Sequence, residues 1–299
     1  MKPIYGKLNG DIIKTVMLDS VYCAMKEIKD SADSFTIKTK IAKGGDDAEV
    51  FTEIDQRVQK FYVEYLLRHF PDFGIIGEED KLTIKSKTLD SDLWFSIDPI
   101  DGTSAFVRKQ SHAICTMLAL VRNEDIIASY IGNPLTGEVF GYGPTDRAVH
   151  RYRNRYENPE LLSGCSSPMN KTYFLLRDIP TAHSQRVQKI AESGLFRGIR
   201  VDGGSIGTHL ARAWTGEISA LVLCEEVVAS WDEMPIRGIN SKLGYVYLDM
   251  AKPYLEMVVT DQYKSFKGVI EDGRELLIVH RNYMDQVRPI LQRWEHGKH

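Results

Sequence analysis

Four acidic residues stand at the ends of apolar segments: Glu78, Asp98, Asp101 and Asp232. A carboxylate is costly to bury without a partner, and several together are costlier because like charges raise one another's pKa. A divalent cation removes that cost. Hard carboxylate oxygens without nearby histidine or cysteine ligands favour Mg²⁺ over zinc. The pattern therefore predicts a magnesium site.

The stretch from 94 to 106, WFSIDPIDGTSAF, places two of these acids three positions apart across a proline. An apolar run precedes Asp98, and we expect a buried strand there. Pro99 predicts a rigid turn off that strand, which lets Asp98 and Asp101 face one metal pocket. The main-chain carbonyl of Ile100 can then supply a further oxygen ligand.

Gly102, Thr103 and Ser104 come next and predict a small-residue turn that leads into a helix. Free backbone N–H groups in such a turn suit a phosphate oxygen. Metal carboxylates beside an anion-binding turn are the components that phosphoryl transfer to water requires. Each motif alone is an ordinary turn sequence. Their ordered occurrence, each after an apolar segment, favours a catalytic site.

Composition restricts the other classes of function. The chain has 299 residues, of which 43% are hydrophobic, enough for one large domain or two modest ones. A net charge of −3 and a pI near 6.3 give no electrostatic basis for a nucleic acid polymer or an anionic membrane as partner. The four cysteines form no CxxC pair, and the N-terminus lacks the apolar core of a signal peptide. We therefore expect a reducing, cytoplasmic setting.

The periodicity of the apolar residues predicts a layered α/β architecture. Helical spacing covers 11–30 and 52–70, and a polar, glycine-containing segment between them indicates a connection. Later strand-like runs alternate with helical ones, among them a helix over 232–242 with Pro235 in its first turn. The turn-rich segment 143–170 is the expected boundary between two halves of one compact catalytic unit. The halves are 1–145, with most of the metal ligands, and 146–299, with Asp232 and the substrate side.

The residues 98–106 resemble the signature of the inositol monophosphatase family, a Mg²⁺-dependent, lithium-sensitive phosphatase superfamily. That signature, a strand followed by D-P-[IL]-D-G-T-x-x-F, reads DPIDGTSAF here without a departure. The family's GEE, W-D and T-x-x-D elements are also present, at 77–79, 231–232 and 52–55. The similarity runs over roughly 11–247. It implies an αβαβα sandwich of the sugar-phosphatase or inositol monophosphatase type.

The resemblance also implies which residues hold the metal ions. Glu78, Asp98 and the carbonyl of Ile100 would hold one Mg²⁺ ion. Asp98 would bridge to a second ion, which Asp101 and Asp232 would also hold.

The remaining catalytic roles follow from the same resemblance. Glu79 and Asp55 would bind outer waters or a weaker third ion, so that each site takes two or three Mg²⁺ ions. Thr103, hydrogen-bonded toward Asp55, would orient the attacking water and help to deprotonate it. The amides of Gly102, Thr103 and Ser104 would hold the phosphate.

The substrate side matches the family less closely. Gly204 and Ser205 occupy the family's G-[ST]-A-A-like helix start, where small residues allow a close approach of substrate. Close packing of the helix explains them equally well. Glu225 or Glu226 would accept hydrogen bonds from substrate hydroxyls, and Glu225 is the preferred residue. The segments VRKQSH and DEMP depart from common family patterns, so we expect a different mouth to the site.

The resemblance implies a Mg²⁺-dependent phosphomonoesterase that acts on a small-molecule phosphate ester, with inositol monophosphate as the first candidate. The same motif occurs in 3′(2′),5′-bisphosphate nucleotidases, fructose-1,6-bisphosphatases and histidinol-phosphate phosphatases, so it does not separate these substrates. A non-catalytic binding module would be expected to lose a metal ligand or Thr103. A glycosidase with a carboxylate pair would have no use for the PIDGT turn. The family also implies a homodimer.

Overall fold

The computed structural model describes eleven stretches of the chain: residues 4–5, 8–31, 37–41, 48–87, 92–108, 113–123, 125–165, 167–225, 230–252, 258–259 and 274–296. In chain order their helices are α1 (Gly10–Ser31), α2 (Glu53–His69), α3 (Thr103–Val107), α4 (Gln185–Ala191), α5 (Ile206–Trp214), α6 (Ser230–Leu243) and α7 (Met284–His296). The strands are β1 (Ile4–Tyr5), β2 (Leu8–Asn9), β3 (Ile37–Ile41), β4 (Ala48–Thr52), β5 (Gly74–Gly77), β6 (Thr83–Ile84), β7 (Leu93–Asp101), β8 (Cys115–Arg122), β9 (Asp125–Gly132), β10 (Val139–Tyr142), β11 (His150–Tyr152), β12 (Glu160–Leu161), β13 (Tyr173–Leu176), β14 (Gly198–Val201), β15 (Ile218–Glu225), β16 (Tyr245–Asp249), β17 (Val258–Val259) and β18 (Arg274–His280).

The first large sheet has the strand order β12-β11-β10-β9-β8-β7-β5-β6. Its neighbours are antiparallel except for β5 and β7, which run parallel. Helices α1 and α2 cover one face, because their apolar residues repeat at helical spacing and pack on the inward residues of β7, β8 and β9. Ile13 and Met17 of α1 and Val58 of α2 are fully buried there.

The opposite face of this sheet meets α5 and α6, which lie between it and the second large sheet. Leu210 and Trp214 of α5 share one apolar cluster with Ile236 of α6 and with Met117 of β8. The same cluster includes Leu221 of β15, so it joins both sheets through the helical layer. These helices are therefore buried on two sides, and α6 contacts β7, β8 and β9.

The second large sheet has the order β14-β13-β15-β18-β16-β17. Strand β13 is parallel to β14 and β15, and the other pairs are antiparallel. Helices α4 and α7 cover its outer face through Val187, Val287 and Leu291. The layers thus follow the order helix, sheet, helix, sheet, helix, which is the αβαβα sandwich that the sequence predicted.

Three short pairs of strands were not predicted, and one of them is the antiparallel pair of β1 and β2. Strands β3 and β4 form an antiparallel hairpin in a segment whose polar, glycine-containing sequence indicated a connection. Strands β11 and β12 extend the first sheet into 143–170, as far as Leu161. The division into 1–145 and 146–299 stays a prediction.

Helix α6 begins earlier than predicted. The sequence indicated 232–242, with Pro235 in the first turn, but the helix begins at Ser230, so that Pro235 lies inside it. Proline removes one intrahelical donor. Its own carbonyl accepts a hydrogen bond from the Ser129 hydroxyl at 2.7 Å, which ties this turn to β9. In the described part of the chain, no helix combines the length and hydropathy needed to cross a bilayer.

Candidate active site

A β-bulge in β7 brings two acids to the same side of the strand. Asp98 pairs with Met117 and Asp101 with Cys115, so three steps along β7 oppose two along β8. Residues three apart in a regular strand point to opposite faces. The one extra residue restores the phase, and both carboxylates line the same pocket.

The sequence suggested that the chain turns away from the strand at Pro99, and this prediction is wrong. Strand β7 continues through Pro99 and Ile100 to Asp101. A bulge leaves one residue outside the hydrogen-bonded ladder, which is a position where proline's missing N–H is tolerated. The bulge therefore does what the turn was expected to do.

The predicted metal ligands converge from three segments on one open pocket of about 540 Å³. Glu78 follows β5, whose parallel pairing with β7 puts the ends of both strands at one edge of the sheet. Asp232 comes from the first turn of α6. Together with Asp98 and Asp101, these carboxylates line the pocket beside Gly102 and the start of α3.

Asp98 is the most constrained of these acids. It is 1% exposed, and its Oδ1 atom has no hydrogen-bond partner among the described residues. Burial raises the pKa of Asp98 well above its usual range, and the charges of Glu78, Asp232 and Asp101 raise it further. An orphaned carboxylate oxygen among other carboxylates is the donor set that a hard divalent cation satisfies. The residues therefore fit Mg²⁺.

Asp101 is held in place by donors from a distant part of the chain. The Ser205 hydroxyl donates to Asp101 Oδ2 at 2.6 Å, and the Gly207 amide donates to the same oxygen at 2.8 Å. Burial raises the pKa of Asp101, and these hydrogen bonds act in the opposite direction. Ser205 is fully buried, and its hydroxyl orients a predicted metal ligand, a role that the sequence did not assign to it.

The variant Ser205→Ala tests whether the Ser205 hydroxyl positions the Asp101 carboxylate or only stabilises the fold. Ser205 also caps α5 by accepting from the Thr208 amide at 3.0 Å, so Ser205→Ala should lower the free energy of unfolding by about 1 kcal/mol. It should also raise the Mg²⁺ concentration for half-maximal activity by about 10–100-fold, because a ligand loses its orienting donor. Asn9→Ala, which removes the cap of α1, is the control and should affect stability only. Equal Mg²⁺ requirements in the two variants would contradict the positioning role.

Thr103 and Asp55 form the predicted hydrogen bond. The Thr103 hydroxyl lies 3.0 Å from Asp55 Oδ1 and 2.9 Å from the Ile100 carbonyl oxygen, both of which can accept its hydrogen. The other oxygen of Asp55 accepts from the Thr52 amide at 2.7 Å and the Thr52 hydroxyl at 2.6 Å. This is the capping box of α2. Burial raises the pKa of Asp55, which the hydrogen bonds from Thr52 and Thr103 oppose.

Glu79 is buried and is held through its main chain by a residue that the sequence did not single out. The Gln59 side chain donates to the Glu79 carbonyl at 2.9 Å and accepts from the Glu79 amide at 2.8 Å. Gln59 lies four residues after Asp55 on the buried face of α2. A buried glutamine at that spacing was the available signal, because its amide needs partners.

Gly102 has a conformation and a contact that only glycine accommodates. Its φ is +91°, and an added Cβ would lie 2.3 Å from the Ala113 carbonyl oxygen. Its own carbonyl accepts from the Ala105 and Phe106 amides, so the turn passes directly into α3. This close contact between Gly102 and Ala113 holds in place the turn at 102–104, whose amides were predicted to bind the phosphate.

We expect Gly102→Ala to be more damaging than an otherwise similar substitution. Gly137 also has a positive φ, +77°, but its Cβ would meet nothing within 4 Å. Gly137→Ala should therefore lower the free energy of unfolding only by the cost of placing a residue with a Cβ in the left-handed conformation, about 1–2 kcal/mol. Gly102→Ala adds the clash with Ala113 and should cost more stability and lose activity. Thermal unfolding and activity measured side by side check this, and equal effects would contradict the importance of the close approach.

Two of the other predicted substrate residues line the pocket. Ser104 is exposed and lines it, and Gly204 lines it with a φ of +123°. Glu225 is the last residue of β15, but its side chain lies outside the described residues, as does Glu226 altogether. The contacts of Gly204, Ser205 and Glu225 with substrate stay predictions.

Three charged residues at the pocket were not predicted individually. Arg108 follows α3, and Arg177 and Asp178 follow β13; all three line the pocket. For Arg177 and Asp178 the available signal was the one used for the metal ligands, namely charged residues directly after an apolar strand. Arg108 follows a helix and belongs to the segment VRKQSH, for which we expected a different mouth to the site.

Comparisons with known proteins agree with this geometry. Residues 13–272 match the model of the family described as "Inositol monophosphatase family". Inositol-1-monophosphatase of Bacillus subtilis is 37% identical over 220 residues, which cover 72% of this chain and 76% of that protein. Nus factor SuhB of Xylella fastidiosa is 35% identical over 135 residues, 45% of this chain; the match spans only 46% of that relative's length. The solved structure of an IMPase from Thermotoga maritima superposes with a TM-score of 0.66 at 17% identity, covering 95% of this chain and 97% of that one, which supports the fold.

Proposed function

Because the chain belongs to the inositol monophosphatase family, we propose that it hydrolyses the phosphate monoester of a small polyol, with inositol monophosphate as the first candidate substrate. The observation that carries this proposal is the orphaned oxygen of Asp98. It lies among three other carboxylates in one pocket, directly beside the turn at Gly102. A buried carboxylate cluster of this kind has a physical explanation when cations occupy it.

In this proposal, Asp98 would help to hold each of two Mg²⁺ ions. Glu78 and the Ile100 carbonyl would complete one set of protein ligands, and Asp101 and Asp232 the other. When bound, such ions acidify a coordinated water and neutralise charge on the phosphate. The Ile100 carbonyl oxygen is available to an ion when the Thr103 hydroxyl donates its one hydrogen to Asp55 instead. Glu79 and Asp55 would bind outer waters or a third ion.

The residues around the pocket have distinct tasks. Asp55 accepts the hydroxyl hydrogen of Thr103, which leaves the Thr103 oxygen with lone pairs for a proton of the attacking water. The first amides of α3, at Thr103 and Ser104, have no acceptor within the helix and can donate to phosphate oxygens. The water oxygen loses a proton and forms a bond to phosphorus, the bond from phosphorus to the ester oxygen breaks, and the leaving alkoxide takes up one proton. Ester and water thus give alcohol and inorganic phosphate with no net gain or loss of protons.

One observation favours a second candidate substrate class. Arg108 and Arg177 line the same pocket as the carboxylates, and guanidinium groups suit a further phosphate. A bisphosphate, such as a 3′(2′),5′-bisphosphate nucleotide or fructose 1,6-bisphosphate, would use them, whereas inositol monophosphate would leave both without a phosphate. The two candidates therefore differ in the expected effect of Arg177→Gln: at least about tenfold in KM for a bisphosphate, and little for a monophosphate.

The test is phosphate release from a panel that holds inositol monophosphate, fructose 1,6-bisphosphate, 3′-phosphoadenosine 5′-phosphate and histidinol phosphate. Each ester is tested with Mg²⁺ and after chelation with EDTA. We expect release that requires Mg²⁺ and returns when the ion is restored, and the ester with the highest kcat/KM identifies the substrate. Release that EDTA does not change would overturn the metal mechanism. Background release from every ester would favour a non-catalytic binding role.

The remaining parts of the proposal rest on the family resemblance and on composition. They are Mg²⁺ as the physiological ion, a homodimeric assembly and a cytoplasmic setting. Light scattering on the purified full chain tests the dimer directly. Titration of metal-free protein with Mg²⁺, Mn²⁺ and Ca²⁺ tests the choice of ion.

A further inference from the structure

A second group of potential metal ligands lies on the outer face of the second sheet. Cys224 of β15 and Glu275 of β18 are cross-strand partners, so their side chains leave the sheet on the same face. Cys224 packs with the apolar cluster beneath α4 and α7. His183 lies two residues before α4, above the same strand ends.

These three side chains are close enough to share one ion. A ring nitrogen of His183, the sulfur of Cys224 and a carboxylate oxygen of Glu275 all lie within 4.8 Å of one another. A tetrahedral zinc site, with bonds of about 2.0–2.3 Å, holds its ligand atoms roughly 3.3–3.7 Å apart. The three atoms therefore lie near that spacing, although not at it.

Two of these three side chains, His183 and Glu275, already contact each other directly. His183 Nδ1 lies 2.8 Å from Glu275 Oε1, and the Ser184 amide donates to both oxygens of Glu275, at 3.2 and 3.1 Å. The His183 side chain is 2% exposed, and its Nε2 atom has no hydrogen-bond partner among the described residues. An ion bound between His183 and Glu275 would take Nδ1 and Oε1 as ligands in place of this hydrogen bond, and the proton of the neutral imidazole would then stay on Nε2.

We propose that His183, Cys224 and Glu275 form a second metal site, selective for a borderline or thiophilic ion such as Zn²⁺. Nitrogen, sulfur and one carboxylate favour such ions, whereas the oxygen-only cluster at Asp98 favours Mg²⁺. Binding requires the thiolate, so the Cys224 proton passes to solvent as the sulfur–metal bond forms. Three protein ligands leave a fourth position for water or an exogenous ligand.

The position of Cys224 connects this site to the pocket already described. Cys224 lines the pocket of Asp98 and also a smaller adjoining one of about 50 Å³. The proposal does not depend on phosphatase activity, because it concerns ion binding alone.

Co²⁺ is the probe, because cobalt–thiolate coordination produces a near-ultraviolet charge-transfer band that oxygen ligands do not. Metal-free full-length protein is titrated with Co²⁺ in excess Mg²⁺, which keeps the carboxylate cluster occupied. We expect a saturable band that Cys224→Ser abolishes. Cys23→Ser, which removes a half-buried thiol on α1, is the matched control and should leave the band unchanged. His183→Gln should weaken the binding of Co²⁺ and raise its Kd by about 10–100-fold.

Two results would overturn the proposal. One is the absence of any thiolate band in the wild-type protein. The other is a band that persists in Cys224→Ser, which would point instead to Cys115, the thiol 3.4 Å from Asp101. Circular dichroism establishes that each variant is folded. If His183→Gln is not, Cys224→Ser alone decides, since it changes a single atom.

Discussion

Asp98→Asn should abolish phosphate release and, at the same time, raise the melting temperature of the metal-free protein. The amide removes the charge that would bridge two ions, so we expect kcat/KM to fall by at least about 10³-fold, beyond the loss of one electrostatic donor. It also removes a buried carboxylate whose Oδ1 has no partner among the described residues. Without metal, that charge opposes folding.

The sign of the stability effect follows from the pKa. Burial and the neighbouring acids raise the pKa of Asp98 above its unfolded value. The stabilising contribution of the protonated form is therefore complete below about pH 3.9 and is lost as the pH rises through the folded pKa. In chelator, the wild-type protein should lose stability over that window, and Asp98→Asn should lose less. At neutral pH the variant should melt at least about 2 °C higher, since roughly 1 kcal/mol shifts Tm by about 2–4 °C in a chain of this size.

Saturating Mg²⁺ should reverse the order of the two proteins. The wild-type chain binds the ions and gains stability by mass action, whereas the variant gains much less. Asp72→Asn, at an exposed acid outside the pocket, is the control and should change neither activity nor the response to Mg²⁺. If metal-free Asp98→Asn melted at a lower temperature than the wild type, this would contradict the idea that repulsion among the clustered carboxylates destabilises the metal-free protein and that cations relieve it.

The parts of this site that were predictable are those with a local cause. The helical spacing of apolar residues in α1 and α2 and the apolar run of β7 predict that these elements are buried. The acid after β5 and the two acids at the end of β7 could therefore be recognised. The capping box that holds Asp55 is likewise a local pattern. Such signals need no knowledge of which segments meet.

The parts that could not be predicted depend on contacts between distant segments. The bulge in β7 exists only relative to the register of β8, so no pattern within 94–106 reveals it. The donor that fixes Asp101 comes from Ser205, 104 positions away in the chain. The hairpin of β3 and β4 was missed because its strands are only five residues long and border a polar, glycine-containing stretch, which indicated a connection.

Thr103→Val should lower kcat by about 10²–10⁴-fold, the range expected for loss of a group that assists proton transfer. Valine matches threonine in shape but has no hydroxyl, so substrate binding and the fold should change little. Thr103→Ser keeps the hydroxyl and should retain most of the activity. Measurement of kcat and KM for both variants, with thermal unfolding as the check on folding, isolates the hydroxyl. A Thr103→Val enzyme within a few-fold of the wild type would remove Thr103 from the mechanism.

The partner of that hydroxyl should be identified by the double variant. The Thr103 hydroxyl has one hydrogen and two acceptors, Asp55 Oδ1 at 3.0 Å and the Ile100 oxygen at 2.9 Å. If the Ile100 oxygen ligates an ion, the hydrogen goes to Asp55, and Asp55 acts through Thr103. Asp55→Asn should then reduce kcat in the wild-type background but add little to Thr103→Val, because the two substitutions remove one interaction. Fully multiplicative losses would mean that Asp55 contributes independently, as a ligand of an outer water or a third ion would. The kinetic comparison thus distinguishes the two roles that the sequence left open for this carboxylate.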